Sequence, residues 1–251
     1  MPLRIVADAS ALADTAAHAV VEVGRAALAE RGRFLIALSG GSTPRAMHAR
    51  LAQPPLRDAL NWTKVEFFWS DERSVPPESP DSNYGMALAT LLIPLGIQPA
   101  QIHRLEGEAS DLDAAAQSYE RTLASVAGAD PRGGPPVLDL VLLGMGSDGH
   151  TASLFPHTAA LDVTGRWVVA NDVPQLHTRR LTFTFELILR ARDVRVLVAG
   201  ADKAAALASV WSGPSAPHDF PSQRLTGHDP RIAWLVDRAA ASALPASLAT
   251  G

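Results

Sequence analysis

Short apolar runs recur along the chain with few polar positions inside them. FLIAL (34–38), VEFFW (65–69), LDLVLL (138–143), RWVVA (166–170), RLTFTF (180–185), VRVLVAG (194–200) and IAWLV (232–236) each have strand length. Between them the period changes to that of a helix. Residues 9–30 carry Ala, Leu and Val at helical spacing, with Asp8 or Ser10 as the cap and Gly32 just beyond. Further helices are predicted from Pro44 to Leu51, from Gly85 to Leu92, over 111–127 before Gly128, and from starts near Asp202 and Asp237. Strands that are apolar throughout and alternate with helices predict an α/β fold with a mostly parallel sheet covered on both faces. A single domain over residues 1–251 is expected, and ADPRGGPP (129–136) is the candidate seam between two halves.

The polar residues fall in a regular place. SGGST (39–43), SDER (70–73), GSDGH (146–150) and GADK (200–203) each follow the carboxyl end of a predicted strand. Ligands of open α/β sheets bind at that rim, so the four segments are expected to converge on one pocket.

Each segment carries its own chemistry. In SGGSTP the glycines let backbone approach a ligand, Thr43 is the candidate N-cap, and Pro44 suits a first helical turn. The free N–H groups of such a turn attract phosphate. Gly144, Gly146 and Gly149 spell G-x-G-x-x-G after a strand, the spacing of a dinucleotide turn. Two residues argue against that ligand. Asp148 would repel a pyrophosphate, and Pro156 interrupts the helix that the motif requires. What the turn offers instead is an acid and an imidazole, Asp148 and His150, beside the hydroxyls of Ser147, Thr151 and Ser153. Histidine exchanges a proton near neutral pH and suits general acid–base work. Arg73, Arg180 and Lys203 are the candidate anion ligands. Asp148, His150 and His157 match no strong metal-ligand spacing, so no metal is expected.

Composition narrows the field. The 251 residues contain no cysteine, which removes disulfides, thiolate metal sites and cysteine nucleophiles. A formal net charge of −4 without a basic block argues against nucleic acid as a partner. No apolar stretch reaches membrane-spanning length, and the N-terminal segment, interrupted by Asp8 and Asp14, does not read as a signal peptide. A cytoplasmic protein with no membrane partner, monomer or homodimer, is expected.

Several stretches together resemble the 6-phosphogluconolactonase family: LSGGSTP (38–44), FFWSDERSVP (67–76), DSNYGMA (81–87), DLVLLGMGSDGHTASLFP (139–156), RRLTFTF (179–185), VLVAGADKA (196–204) and WLVDRAAA (234–241). The resemblance implies a three-layer α/β/α sandwich related to glucosamine-6-phosphate deaminases. It also implies hydrolysis of a 6-phosphogluconolactone, a small sugar-phosphate lactone, with no cofactor. His150 would be the catalytic acid/base with Asp148 beside it. Gly40, Gly41, Ser42 and Asp71 would line the sugar-phosphate pocket, with positive charge from Arg73, Arg180 and Lys203. The family's Arg-x-Thr-x-Thr, read here as Arg180-Leu-Thr182-Phe-Thr184, favours Arg180 over its neighbour Arg179. Arg73 is the candidate to stabilise an oxyanion. One departure is the turn Leu189-Arg190-Ala191-Arg192, where relatives commonly carry Asn. Two alternatives remain, a deaminase or isomerase on the same scaffold and a non-catalytic sugar-phosphate sensor. The deaminase pattern has Asp-Glu-Tyr where this chain has Asp71-Glu72-Arg73, and Asn-Glu-Pro where it has Leu154-Phe155-Pro156.

Overall fold

Five of the seven apolar runs become a buried parallel sheet. The computed structural model describes residues 3–128, 134–227 and 229–249, so the 129–133 part of the candidate seam lies outside the described residues. With strands numbered in chain order, β1 (Leu3–Val6), β2 (Phe34–Leu38), β3 (Val65–Trp69), β5 (Leu140–Gly144), β8 (Val194–Val198) and β9 (Ile232–Asp237) form a six-stranded sheet. Its order is β1-β9-β8-β5-β2-β3, and its pairings are parallel. Every residue of β2 is buried, as a central strand covered on both faces requires.

The helices follow from equally local causes. α1 (Ala9–Arg31) starts where Asp8 accepts a hydrogen bond from the Ala11 N–H at 2.9 Å and ends at Gly32, whose φ of +70° suits glycine. α2 (Ser42–Leu51) packs on α1, and α1 in turn packs on β9. On the opposite face of β9, Trp234 meets Trp211 of α7 (Ala204–Ser212) edge to face, with ring centroids 5.7 Å apart. Helices therefore lie on both faces of the sheet. The remaining helices are α3 (Asn83–Ala87), α4 (Ile93–Leu95), α5 (Leu112–Ala127), α6 (Phe185–Ile188) and α8 (Ala246–Ala249). No helix among the described residues is long and apolar enough to cross a membrane.

The sequence reading needs correction at six places. RWVVA and RLTFTF do not join the parallel sheet. They supply β6 (Val168–Val173) and β7 (Thr178–Phe183), which pair antiparallel in a separate three-stranded sheet of order β4-β7-β6. The third member, β4, is Asp71–Arg73, inside the segment read as rim loop. Its three polar residues carry no strand signal of their own, and pairing with β7 makes the strand. The edge strand β1 also went unread. The helix expected from Gly85 begins at Asn83 and passes through a π-helical turn at Leu88–Leu92. Beyond Asp237 the chain forms a 3₁₀ turn at Ala240–Ala243 instead of an α-helix, its Ala240 N–H donating to the Asp237 carboxylate at 2.7 Å. Finally, the N-cap of α2 is Gly41 at φ +104°, with Thr43 already inside the first turn.

Candidate active site

From β2 the chain moves to β3 on one side, then crosses to β5, β8 and β9 on the other. The loops leaving β2 and β5 therefore part company, and this is where an open α/β sheet has its ligand crevice. A cleft of about 260 Å³ lies there. It brings together Gly40, Gly41, Ser42, Asp71, Arg73, His150, Arg180 and Lys203, eight of the nine residues singled out from the sequence. Asp148 supports the histidine from the side.

The β5 loop is built to present the imidazole. Gly149 at φ +78° closes a turn in which its N–H donates to the Gly146 carbonyl at 3.0 Å, and Gly146 N–H donates to the His150 carbonyl at 2.9 Å. His150 Nδ1 lies 2.6 Å from Asp148 Oδ1, which also accepts the His150 backbone N–H at 3.1 Å. Gly146 admits this pair because it has no side chain: a Cβ there would stand 2.1 Å from His150 Nδ1 and 2.5 Å from Asp148 Oδ1. Burial pushes the Asp148 carboxyl up, but the hydrogen bond and charge of His150 outweigh it and hold the group below its ordinary value. An ionised Asp148 fixes the proton on Nδ1 and leaves the Nε2 lone pair for the cleft. The imidazole stacks on Phe155, centroids 4.0 Å apart, and the Arg180 guanidinium sits 5.4 Å from the centre of the same ring.

The small sheet supplies the charge. Asp71 and Arg73 project from one face of β4 and Glu72 from the other, as strand alternation demands. Arg73 stands directly opposite Arg180 in the β4–β7 ladder, an unfavourable like-charge pair when nothing lies between. Burial, followed by the neighbouring Arg73 charge, pushes Arg180 down, against the pull of Asp71, Glu72 and Asp81. Arg73 Nη1 donates to the Asp81 carbonyl at 2.6 Å, and the Nε groups of both arginines are buried without a partner. Two adjacent guanidinium groups with unused donors make an anion site. Arg179, one residue along, faces away and pairs with Asp113 and Asp172 at 3.0 and 2.8 Å.

The same small sheet clamps the histidine loop. Ser153 donates through Oγ to Asp71 Oδ2 at 2.7 Å and through its N–H to Thr182 Oγ1 at 3.1 Å, while Asn171 donates to its carbonyl at 2.9 Å. Across the cleft, α2 offers first-turn N–H groups that have no intrahelical acceptor, and Lys203, in the turn after β8, lies 3.0 Å from Asp202. Three polar groups here escaped sequence reasoning. Ser39 carries a buried hydroxyl without a partner. Asn83 lines the cleft, and Glu72 accepts from Arg73 N, Ser82 Oγ, Asn83 N and Tyr84 N at 2.8–3.1 Å. Ser39 and Glu72 lie in the rim segments SGGST and SDER and Asn83 in DSNYGMA, but nothing in those stretches reports their contacts, which form through long-range folding. Among the described residues no group of three or more His, Cys, Asp or Glu is arranged to hold a metal ion, and His157 pairs with Asp219 at 3.0 Å.

A parallel sheet with its crevice at the crossover, lined by glycine turns, an Asp–His pair and three cations, defines an α/β protein equipped for a small anionic ligand. The chain belongs to the family of glucosamine-6-phosphate isomerases and 6-phosphogluconolactonases, which it matches over residues 7–234. It is 45% identical over 215 residues to the 6-phosphogluconolactonase of Synechocystis sp., covering 85% of this chain and 86% of that one. It is 39% identical over 249 residues to that of Mycobacterium tuberculosis, covering 97% and 98%. Among solved structures, the 6-phosphogluconolactonase of Trypanosoma brucei superposes with a TM-score of 0.84 at 30% identity, covering 97% and 98%. A monomeric glucosamine-6-phosphate deaminase of the NagB superfamily shares the fold, with a TM-score of 0.80 at 22% identity over 97% of this chain and 100% of that one.

Proposed function

We propose that this chain, as one domain, hydrolyses 6-phospho-glucono-δ-lactone to 6-phosphogluconate, and that His150 is its general base. The observation that carries this reading is the Asp148–His150 pair held beside an unneutralised arginine pair in a single cleft. Relatives that carry the lactonase name match over nearly the whole chain.

The division of the cations follows from their neighbours. Arg180 shares the Phe155 ring with His150, so the Arg73–Arg180 pair belongs beside the reacting carbonyl. The α2 N-terminus and Lys203 flank the β5 loop from β2 and β8 and receive the phosphate. In the first step His150 Nε2 takes a proton from water as the water oxygen bonds to C1, and the carbonyl electron pair moves onto oxygen. Arg73 and Arg180 stabilise that oxyanion, while Asp148 stabilises the imidazolium. In the second step the C1–O5 bond breaks and Nε2–H protonates the departing ring oxygen. Lactone and water alone balance the reaction.

The test is a coupled assay on freshly generated 6-phosphogluconolactone, run beside glucosamine 6-phosphate. Lactone hydrolysis well above the spontaneous rate, with no ammonia released from the amino sugar, is expected. Activity on the amino sugar alone would replace the reading with the deaminase, and binding without turnover of either would replace it with a sensor.

A further inference from the structure

Asn83 is 2% exposed, sits on the wall of the cleft, and has its carboxamide locked in one orientation. Nδ2 donates to the Asp71 backbone carbonyl at 2.9 Å and to Asp71 Oδ1 at 3.3 Å. A carbonyl oxygen only accepts, so a flipped amide would set oxygen against oxygen, and the assignment of Nδ2 is fixed. Oδ1 is thereby turned the other way, onto Gly40. A Cβ on Gly40 would lie 1.7 Å from it. Among the described residues nothing donates to Oδ1. The backbone N–H of Asn83 is held by Glu72 Oε1 at 2.8 Å, which fixes the main chain, while the two Nδ2 bonds to Asp71 fix the side chain.

The glycine of the β2 loop thus has a reason beyond phosphate approach. Its missing side chain makes room for an amide oxygen that has no partner. In a cleft whose charged groups are cationic apart from Asp71, a lone neutral acceptor is matched by a donor without charge. We propose that Asn83 Oδ1 is a specificity determinant that accepts a hydrogen bond from a secondary hydroxyl of the sugar-acid chain. The proposal rests on the lactonase reading above, and it predicts that the enzyme reads the hydroxyl pattern of its substrate as well as the phosphate and the carbonyl. A site built to bond a hydroxyl discriminates strongly against the analogue that lacks it, because the buried partner is left unpaired.

The experiment compares wild type and Asn83→Ala on the parent lactone 6-phosphate and on a series lacking one ring hydroxyl each. Binding of 6-phosphogluconate and the matching deoxy acids is measured by calorimetry in parallel. Wild type is expected to lose at least tenfold in kcat/KM, and comparably in affinity, for one deoxy analogue. Asn83→Ala is expected to lose at least tenfold on the parent and to come within about twofold of wild type on that analogue. Equal losses by Asn83→Ala on every substrate would overturn the proposal, since they would reveal only support of Asp71. So would a wild type indifferent to every missing hydroxyl, a result available without any variant. If wild type turns over no lactone, the functional reading fails, and the calorimetric series still decides whether Asn83 reads a hydroxyl.

Discussion

The six-stranded sheet and the three-stranded sheet meet at one cleft but contribute opposite things. The parallel sheet delivers backbone: glycine turns after β2 and β5, the α2 N-terminus, and an imidazole carried on a tight turn. Its strands are apolar and covered, so they position loops while carrying little charge of their own. The antiparallel sheet delivers charge and grip. Its β4 strand places Asp71 and Arg73 on the cleft side, β7 adds Arg180, and Asp71, Thr182 and Asn171 hold the histidine loop through Ser153. A scaffold that offers a crevice is thus made into a specific site by a small sheet folded over its rim.

The sharpest break in that comparison is expected at the histidine. His150→Ala removes the proposed general base while leaving both cation sites in place, and kcat is expected to fall about 10²- to 10⁴-fold in the coupled assay. Next comes the hidden face of the small sheet. Glu72→Gln turns an NH₂ toward donors that now meet carboxylate oxygen, and urea denaturation is expected to show a loss of about 2 kcal/mol.

The pH dependence of that loss has a defined sign. Burial pushes the Glu72 carboxyl up against its backbone donors, and the charge of Asp71 adds to the rise. The folded chain therefore binds this proton at a pH where the unfolded chain has released it. Between the ordinary glutamate value and the raised one, the Glu72 contribution to stability grows as pH falls and shrinks as pH rises. Glu72→Gln should remove that component from a pH series of unfolding free energies.

The smallest effect on stability is expected at the arginine pair. Arg180→Met relieves the like-charge contact with Arg73 and should leave the unliganded protein equally stable or more stable by about 0.5 kcal/mol. Added inorganic phosphate, received by the α2 N-terminus and Lys203, should raise the melting temperature of wild type and variant alike. A variant destabilised in the absence of anion would contradict the repulsion.

The two sheets also differ in how much of each could be read from the sequence. FLIAL, VEFFW and LDLVLL are apolar because both their faces are covered, so pattern alone located them and the polar turns at their ends. Gly40, Gly41, Ser42, Asp71, Arg73 and His150 follow those strands and lie in the cleft for that reason. Asp71–Arg73 is a strand only because β7 pairs with it, and three polar residues contain no trace of that partner. RLTFTF looked like another parallel strand because Leu181, Thr182 and Phe183 are all buried, and burial does not report direction. Asn83 was invisible for a related reason. Its meaning lies in contacts with Asp71 and Gly40, which are 12 and 43 positions away.

The division of labour between the two sheets is tested most directly by measuring kcat and KM separately for Arg73→Ala and Lys203→Ala on the same lactone. Arg73→Ala should lower kcat about 10²- to 10³-fold with little change in KM, since the oxyanion exists only in the transition state. Lys203→Ala should raise KM and leave kcat within a few-fold, since phosphate is bound equally before and during reaction. The reverse pattern, with Arg73 setting KM and Lys203 setting kcat, would contradict the account.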